Sequence, residues 1–179
     1  MSLETFGQWL QSVDIATALR ESALVYPVVM TSHLAGMALF GGMILMTDMR
    51  ILGLALKSYP ISEVVNGLRK WKHLGLTITA GCGIFLFWAK AEQYLGNPYF
   101  WLKISLFALI IIHAWVFRGS VYKRAEELDR AAVLPTNAKV AAILSIVLWA
   151  GVVTAGRLIG YYEPPSKQQA SVELEHRLR

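Results

Sequence analysis

Charge and cysteine are what this sequence lacks. Only 16% of its 179 residues are Asp, Glu, Lys or Arg, against about 25% in ordinary soluble domains. With 55% hydrophobic residues and a mean hydropathy of +0.46, that deficit excludes a typical water-soluble enzyme. The single cysteine, Cys82, excludes an intrachain disulfide and reads as a small packing residue within an apolar run. The first basic residue is Arg20, so the basic start of a cleavable signal peptide is missing and the apolar stretches read as membrane anchors. No Cys-x-x-Cys-His, phosphate loop or His-Glu-x-x-His motif is present, which removes covalent haem attachment, nucleotide chemistry and a zinc protease.

What is there is hydrophobic length. A helix needs about 20 mostly apolar residues to cross the hydrocarbon of a bilayer, and four segments meet that demand: 24–46, 71–89, 98–117 and 140–160. The second spans only if Trp71 and Lys72 join it, with the lysine snorkelling outward. Breaks fall where chain chemistry puts them. Tyr59-Pro60 separates the first two spans, and Asn97-Pro98 reads as an N-cap followed by proline at the first helical position. Leu134-Pro135-Thr136-Asn137 opens the fourth span, and Glu163-Pro164-Pro165 closes it. Residues 1–22 read as an interfacial amphipathic helix, with Phe6, Trp9, Leu10, Val13, Ala16 and Thr17 on one face. The expected fold is an all-α membrane protein. Residues 23–162 make a four-transmembrane-helix bundle and residues 163–179 a polar tail.

Basic residues set the orientation. The loop after the first span carries Arg50, Lys57, Arg69, Lys70 and Lys72, and the loop after the third carries Arg118, Lys123, Arg124, Arg130 and Lys139. The short loop between them carries only Lys90. The two rich loops are expected in the cytoplasm of a bacterial inner membrane, with both termini periplasmic. The net charge of +5 is thus a topology signal and does not point to nucleic acid.

Ionisable groups inside a bilayer are costly and mark candidate sites. Three of the four histidines, His33, His73 and His113, fall in or at the edge of spans, and the fourth, His176, lies in the tail. Paired imidazoles on facing helices hold b-type haem. Counting helical rise from the Leu95–Asn97 turn places His73 and His113 within about 6 Å of one depth, so they are the expected axial ligands of a haem iron. His33 lies about 10 Å from that level and is the alternative ligand, of a second haem with Met30 or Met37 as partner, or a quinone contact, or a histidine that simply hydrogen-bonds a neighbouring carbonyl. Lys103, Arg157 and Arg118 are candidate partners of haem propionates. Asp48 reads as a local ion pair with Arg50, Trp149 as bundle packing, and Gly156-x-x-x-Gly160 as small-residue packing.

The run Tyr26-Pro27, His33-Leu34-Ala35-Gly36-Met37-Ala38-Leu39 and Asp48-Met49-Arg50-Ile51-Leu52-Gly53-Leu54 resembles a family of small bacterial inner-membrane proteins described as a domain of unknown function. Asn97-Pro98-Tyr99-Phe100-Trp101-Leu102-Lys103 resembles the start of that family's third span. The architecture is also similar, at the level of fold, to membrane b cytochromes of the cytochrome b561 and superoxide oxidase kind, which implies haem held by histidines. In that kind of protein the histidines pair on facing helices. Here only His33, His73 and His113 match, and they supply one haem rather than two.

The expected function is a membrane b-type cytochrome carrying electrons between the quinone pool and a partner protein, with quinone-linked oxidoreductase activity open. The alternatives are a cofactor-free accessory subunit of a larger membrane complex, a homo-oligomer among them, and a small metal or solute transporter.

Overall fold

Asn97 shows how local chemistry sets the helix boundaries. Its Oδ1 accepts from the Tyr99 N–H at 2.9 Å and its Nδ2 donates to the Ile159 carbonyl at 3.1 Å. One side chain thus caps the helix that starts at Pro98 and ties it to the end of the last helix. The computed structural model describes residues 2–117, 119, 121, 123–131 and 133–163. Arg118, His176 and the tail beyond Glu163 lie outside the described residues.

All regular structure among the described residues is helical: α1 (Leu3–Gln11), α2 (Asp14–Glu21), α3 (Val25–Ile51), α4 (Ile61–Gly67), α5 (Arg69–Ala89), α6 (Ala91–Leu95), α7 (Pro98–Phe117), α8 (Ala125–Arg130) and α9 (Thr136–Ile159). Three of them, α3, α7 and α9, are long and apolar enough to cross a membrane. Helix α5 is as long as α7, but Arg69, Lys70 and Lys72 occupy its start and its apolar part runs only from His73 to Ala89.

The long helices pack α5 on α3, α3 on α9 and α9 on α7. Lipid gives no hydrophobic reward for helix association, so close backbone approach must supply it. The α3–α5 seam does this through glycine. A Cβ at Gly75 would lie 2.7 Å from the Phe40 nitrogen, and one at Gly36 would lie 2.8 Å from the Thr79 hydroxyl. Trp149 of α9 packs edge-on against Phe40 at 5.3 Å and Phe107 at 6.1 Å, which bears out its reading as bundle packing.

The loops hold more structure than span-reading suggests. Helices α4 and α8 close one end of the bundle over Ile51, Ile61, Val65, Val121, Ala125 and Leu128, all buried. Asp129 of α8 accepts from the N–H groups of Ile61 and Ser62, the latter at 3.2 Å, and so caps α4 from outside. Burial works against its ionisation. Hydrogen bonds from Ser62 and Ile61, with Arg50 nearby, still hold its carboxyl below the usual value.

The N-terminal stretch forms two helices rather than one. Val13 is extended between them, and the Ser12 hydroxyl turns back to the Trp9 carbonyl at 2.8 Å. The pair is strapped to the bundle near the α5–α6 joint. Trp88 donates to the Leu10 carbonyl at 3.0 Å, and Gln8 and Gln11 donate to the Glu92 carboxylate at 3.0 and 2.8 Å.

The expected Asp48–Arg50 pair does not form. Residues two apart on a helix point to different sides. Arg50 donates to the Tyr59 carbonyl at 2.6 Å, while Asp48 turns into the bundle and is 1% exposed.

Candidate functional site: a polar niche around His33

His33 stands on α3, facing α5. Its Nδ1 lies 2.9 Å from the carbonyl oxygen of Thr79. A carbonyl only accepts, so the shared hydrogen belongs to Nδ1, and the neutral ring then carries its free lone pair on Nε2. The ring passes over Gly83, where a Cβ would come within 3.1 Å of Cε1. Lys103 of α7 is close enough to act electrostatically on His33. Its stem crosses α9 at Gly156, where a Cβ would lie 3.6 Å from Nζ. Both His33 and Lys103 are half-buried. Four helices thus meet at one niche: α3 supplies the imidazole, α5 its orienting carbonyl, α7 the cation and α9 the space for that cation.

Helices α5 and α7 meet beside α6, where Phe87 and Phe100 stack at 5.5 Å and Tyr94 stacks on Phe100 at the same distance. They are not among the helix pairs that pack extensively. The chemistry on offer is a lone-pair nitrogen beside a cation in apolar surroundings. That set can ligate the metal of a flat cofactor and pair with its carboxylates, or hydrogen-bond a quinone oxygen.

The other sequence-predicted residues are placed as follows. His73 is exposed on α5. His113 is buried, its Nε2 2.9 Å from the Ala141 carbonyl of α9 and its ring 4.9 Å from that of Phe117. The fold brings His113 to α9 and leaves His73 outside on α5, so these two histidines are not brought together. Met30 and Met37 are half-buried on α3. Arg157 is exposed and committed to Tyr161, whose hydroxyl accepts its hydrogen bond at 2.6 Å and whose ring lies 4.8 Å below its guanidinium. Among the described residues, no group of three or more His, Cys, Asp or Glu side chains is placed to hold a bare metal ion.

A second polar group was missed by sequence reasoning. Thr47 and Asp48 of α3, Lys72 of α5 and Ser145 of α9 gather near the end of the bundle that α4 and α8 cover. The signal was present as an aspartate inside an apolar helix, but a nearby arginine drew it into a local pairing.

Fold and niche define a class: a multi-pass helical membrane protein with ionisable side chains gathered inside its bundle. The profile of a family of unknown function, DUF6644, matches residues 6–162, and the chain belongs to that family. No curated protein and no solved structure matches it.

Proposed function

We propose that the chain is a four-span inner-membrane protein that binds b-type haem through His33 and passes electrons between the quinone pool and a partner. The observation that carries this reading is the His33 imidazole, fixed through Nδ1 on the Thr79 carbonyl and flanked by Lys103. Proteins orient metal-ligating imidazoles by such a bond, since it fixes the tautomer and aims the other nitrogen. His33, and not the His73–His113 pair, is therefore the ligand in this reading. Lys103 is the partner for a propionate, and Arg157 a second cation at the same end of the bundle.

A haem held there supplies one-electron chemistry at a potential set by its surroundings. The chain's part is to ligate, to neutralise carboxylates through Lys103, and to keep water away with apolar helices. The fourth span in this reading is α5, supported by its packing along α3; Lys72 does not snorkel outward as expected but turns inward, donating to the Thr47 hydroxyl at 3.1 Å. An even number of crossings returns both termini to one side, and the basic loops assign that side to the periplasm. Helices α1 and α2 lie at the lipid surface, consistent with the exposure of Leu3, Trp9 and Ile15.

The test is haem content. The full chain, expressed with ample haem and purified in mild detergent, is assayed by pyridine haemochrome. Haem b in stoichiometric amount supports the reading. A colourless, folded protein overturns it and favours a cofactor-free accessory subunit, whose partners would then be sought by crosslinking in native membranes.

A further inference from the structure

Asp48 is the least expected residue in the molecule. It is 1% exposed, and neither carboxylate oxygen has a hydrogen-bond partner among the described residues. A buried carboxylate without donors is costly, and one inside a membrane domain is retained for a use. Its neighbours come from every helix packed against it. From α5, Lys72 acts on it electrostatically, its Nζ donating to the hydroxyl of the adjacent Thr47 at 3.1 Å, with Arg69 behind it. From α9 comes the Ser145 hydroxyl, itself 8% exposed, which interacts with the carboxylate without a formed hydrogen bond. One turn before Ser145, the Ala141 carbonyl is the atom on which His113 of α7 rests. From α4, the acid Glu63 is exposed, and on α3 itself Arg50 is turned away to Tyr59.

The geometry points to a proton-binding site: Asp48 takes up and releases a proton inside the bundle, with Lys72 as its counter-charge and Ser145 as its hydrogen-bonding partner. The ligand is a proton rather than a metal cation. A site with one carboxylate and an ammonium beside it offers a cation too little negative charge, whereas a proton needs only the carboxyl oxygen. Uptake converts the Asp48 carboxylate to the acid, whose O–H has the Ser145 oxygen as acceptor, and leaves Lys72 as the net charge. Lys72 is half-buried and sits at the basic start of α5. It connects the site to the face of the protein that carries the basic loops, which is where the proton enters. This inference does not depend on haem at His33.

The test is infrared spectroscopy of the full chain in lipid nanodiscs, with aspartate carbons isotopically labelled and the pH stepped in H2O and D2O. Three results are expected. A labelled carboxylic-acid C=O band grows on acidification and shifts in D2O. One component of it, that of Asp48, is lost in Asp48→Asn, while those of Asp14 and Asp129 remain. In Ser145→Ala, which keeps the carboxyl, the Asp48 component persists at a higher frequency because its hydrogen bond is gone. Replacing sodium by potassium or choline leaves it unchanged. Because Asp14 and Asp129 carry the label too, the Asp48 band is read as the parent-minus-Asp48→Asn difference; no such difference band at any pH, or one abolished by sodium, would each overturn the assignment.

Discussion

The Nδ1 of His33 sits 2.9 Å from the carbonyl oxygen of Thr79, across the seam between α3 and α5. The seam is tight because Gly36 and Gly75 let the α3 and α5 backbones touch, and the same closeness brings a main-chain oxygen within reach of the imidazole. Packing and chemistry are therefore linked. Gly36 and Gly75 thereby set the register that orients the histidine.

That linkage makes the first prediction. Gly75→Leu drives a side chain into the Phe40 backbone and is expected to cost about 1–3 kcal/mol, the usual range for overpacking. It should also loosen the His33–Thr79 contact. Gly81, on the same helix, has open space where a Cβ would go, so Gly81→Ala should change stability by no more than about 0.5 kcal/mol. Steric-trap or denaturant unfolding in bicelles compares the two. Equal effects would contradict the assigned seam.

A second prediction concerns His113. Its Nε2 serves the Ala141 carbonyl inside the α7–α9 contact, so its role is structural. His113→Ala should lower stability by about 1–3 kcal/mol through the lost bond and the altered burial of its acceptor, and should leave any haem spectrum in place. Unfolding and visible spectroscopy on the same preparation check both halves. Loss of the spectrum without loss of stability would reverse the assignment.

Only strong acid should open the cap on α4. The carboxyl of Asp129 is held below its ordinary value by its bonds to Ser62 and Ile61. A depressed carboxylate contributes stability that is fully present above the unfolded-state value, near 3.8, and is lost as pH falls through the lower folded-state value. The α4–α8 cover should therefore resist mild acid and open only below the ordinary carboxylate range. Asp129→Ala should open it at neutral pH, at a cost of about 0.5–2 kcal/mol for the lost cap. Hydrogen exchange of the Ile61 and Ser62 amides reads the change directly. Protection unchanged in Asp129→Ala would refute the cap.

Span number has a simple readout. If α5 crosses the bilayer, the chain crosses four times and its two ends share one side. If only α3, α7 and α9 cross, the ends lie on opposite sides. Alkaline phosphatase fused at the N-terminus and after Glu163 is expected to be active at both positions, and fusions in the 52–60 loop to be inactive. One active and one inactive terminus would leave α5 lying against the bundle without crossing it.

Much of this was legible in the sequence, for identifiable reasons. The bilayer imposes a minimum apolar length, so α7 falls where residues 98–117 predict it and α3 and α9 differ chiefly at the ends near α4 and α8, where helix continues past the apolar run. The Asn97-Pro98 cap is local chemistry and was visible as such. Helices α4 and α8 were not visible, because the cap of α4 comes from Asp129, a residue remote in the chain. The histidine geometry was only half legible. Counting rise along a helix gives depth, and it put His73 and His113 at one level. It gives neither azimuth nor neighbours, and the packing order of α5, α3, α9 and α7 leaves those two histidines apart. Asp48 was lost to a short-range reading that the i to i+2 geometry of a helix forbids.

The most direct test of the account is the reduced-minus-oxidised visible spectrum of the purified chain beside those of His33→Ala, His73→Ala and His113→Ala. The expected result is a b-type signal in the parent, absent in His33→Ala and retained in the other two. A signal that survives His33→Ala and disappears in both His73→Ala and His113→Ala would contradict the account and restore a haem held between α5 and α7.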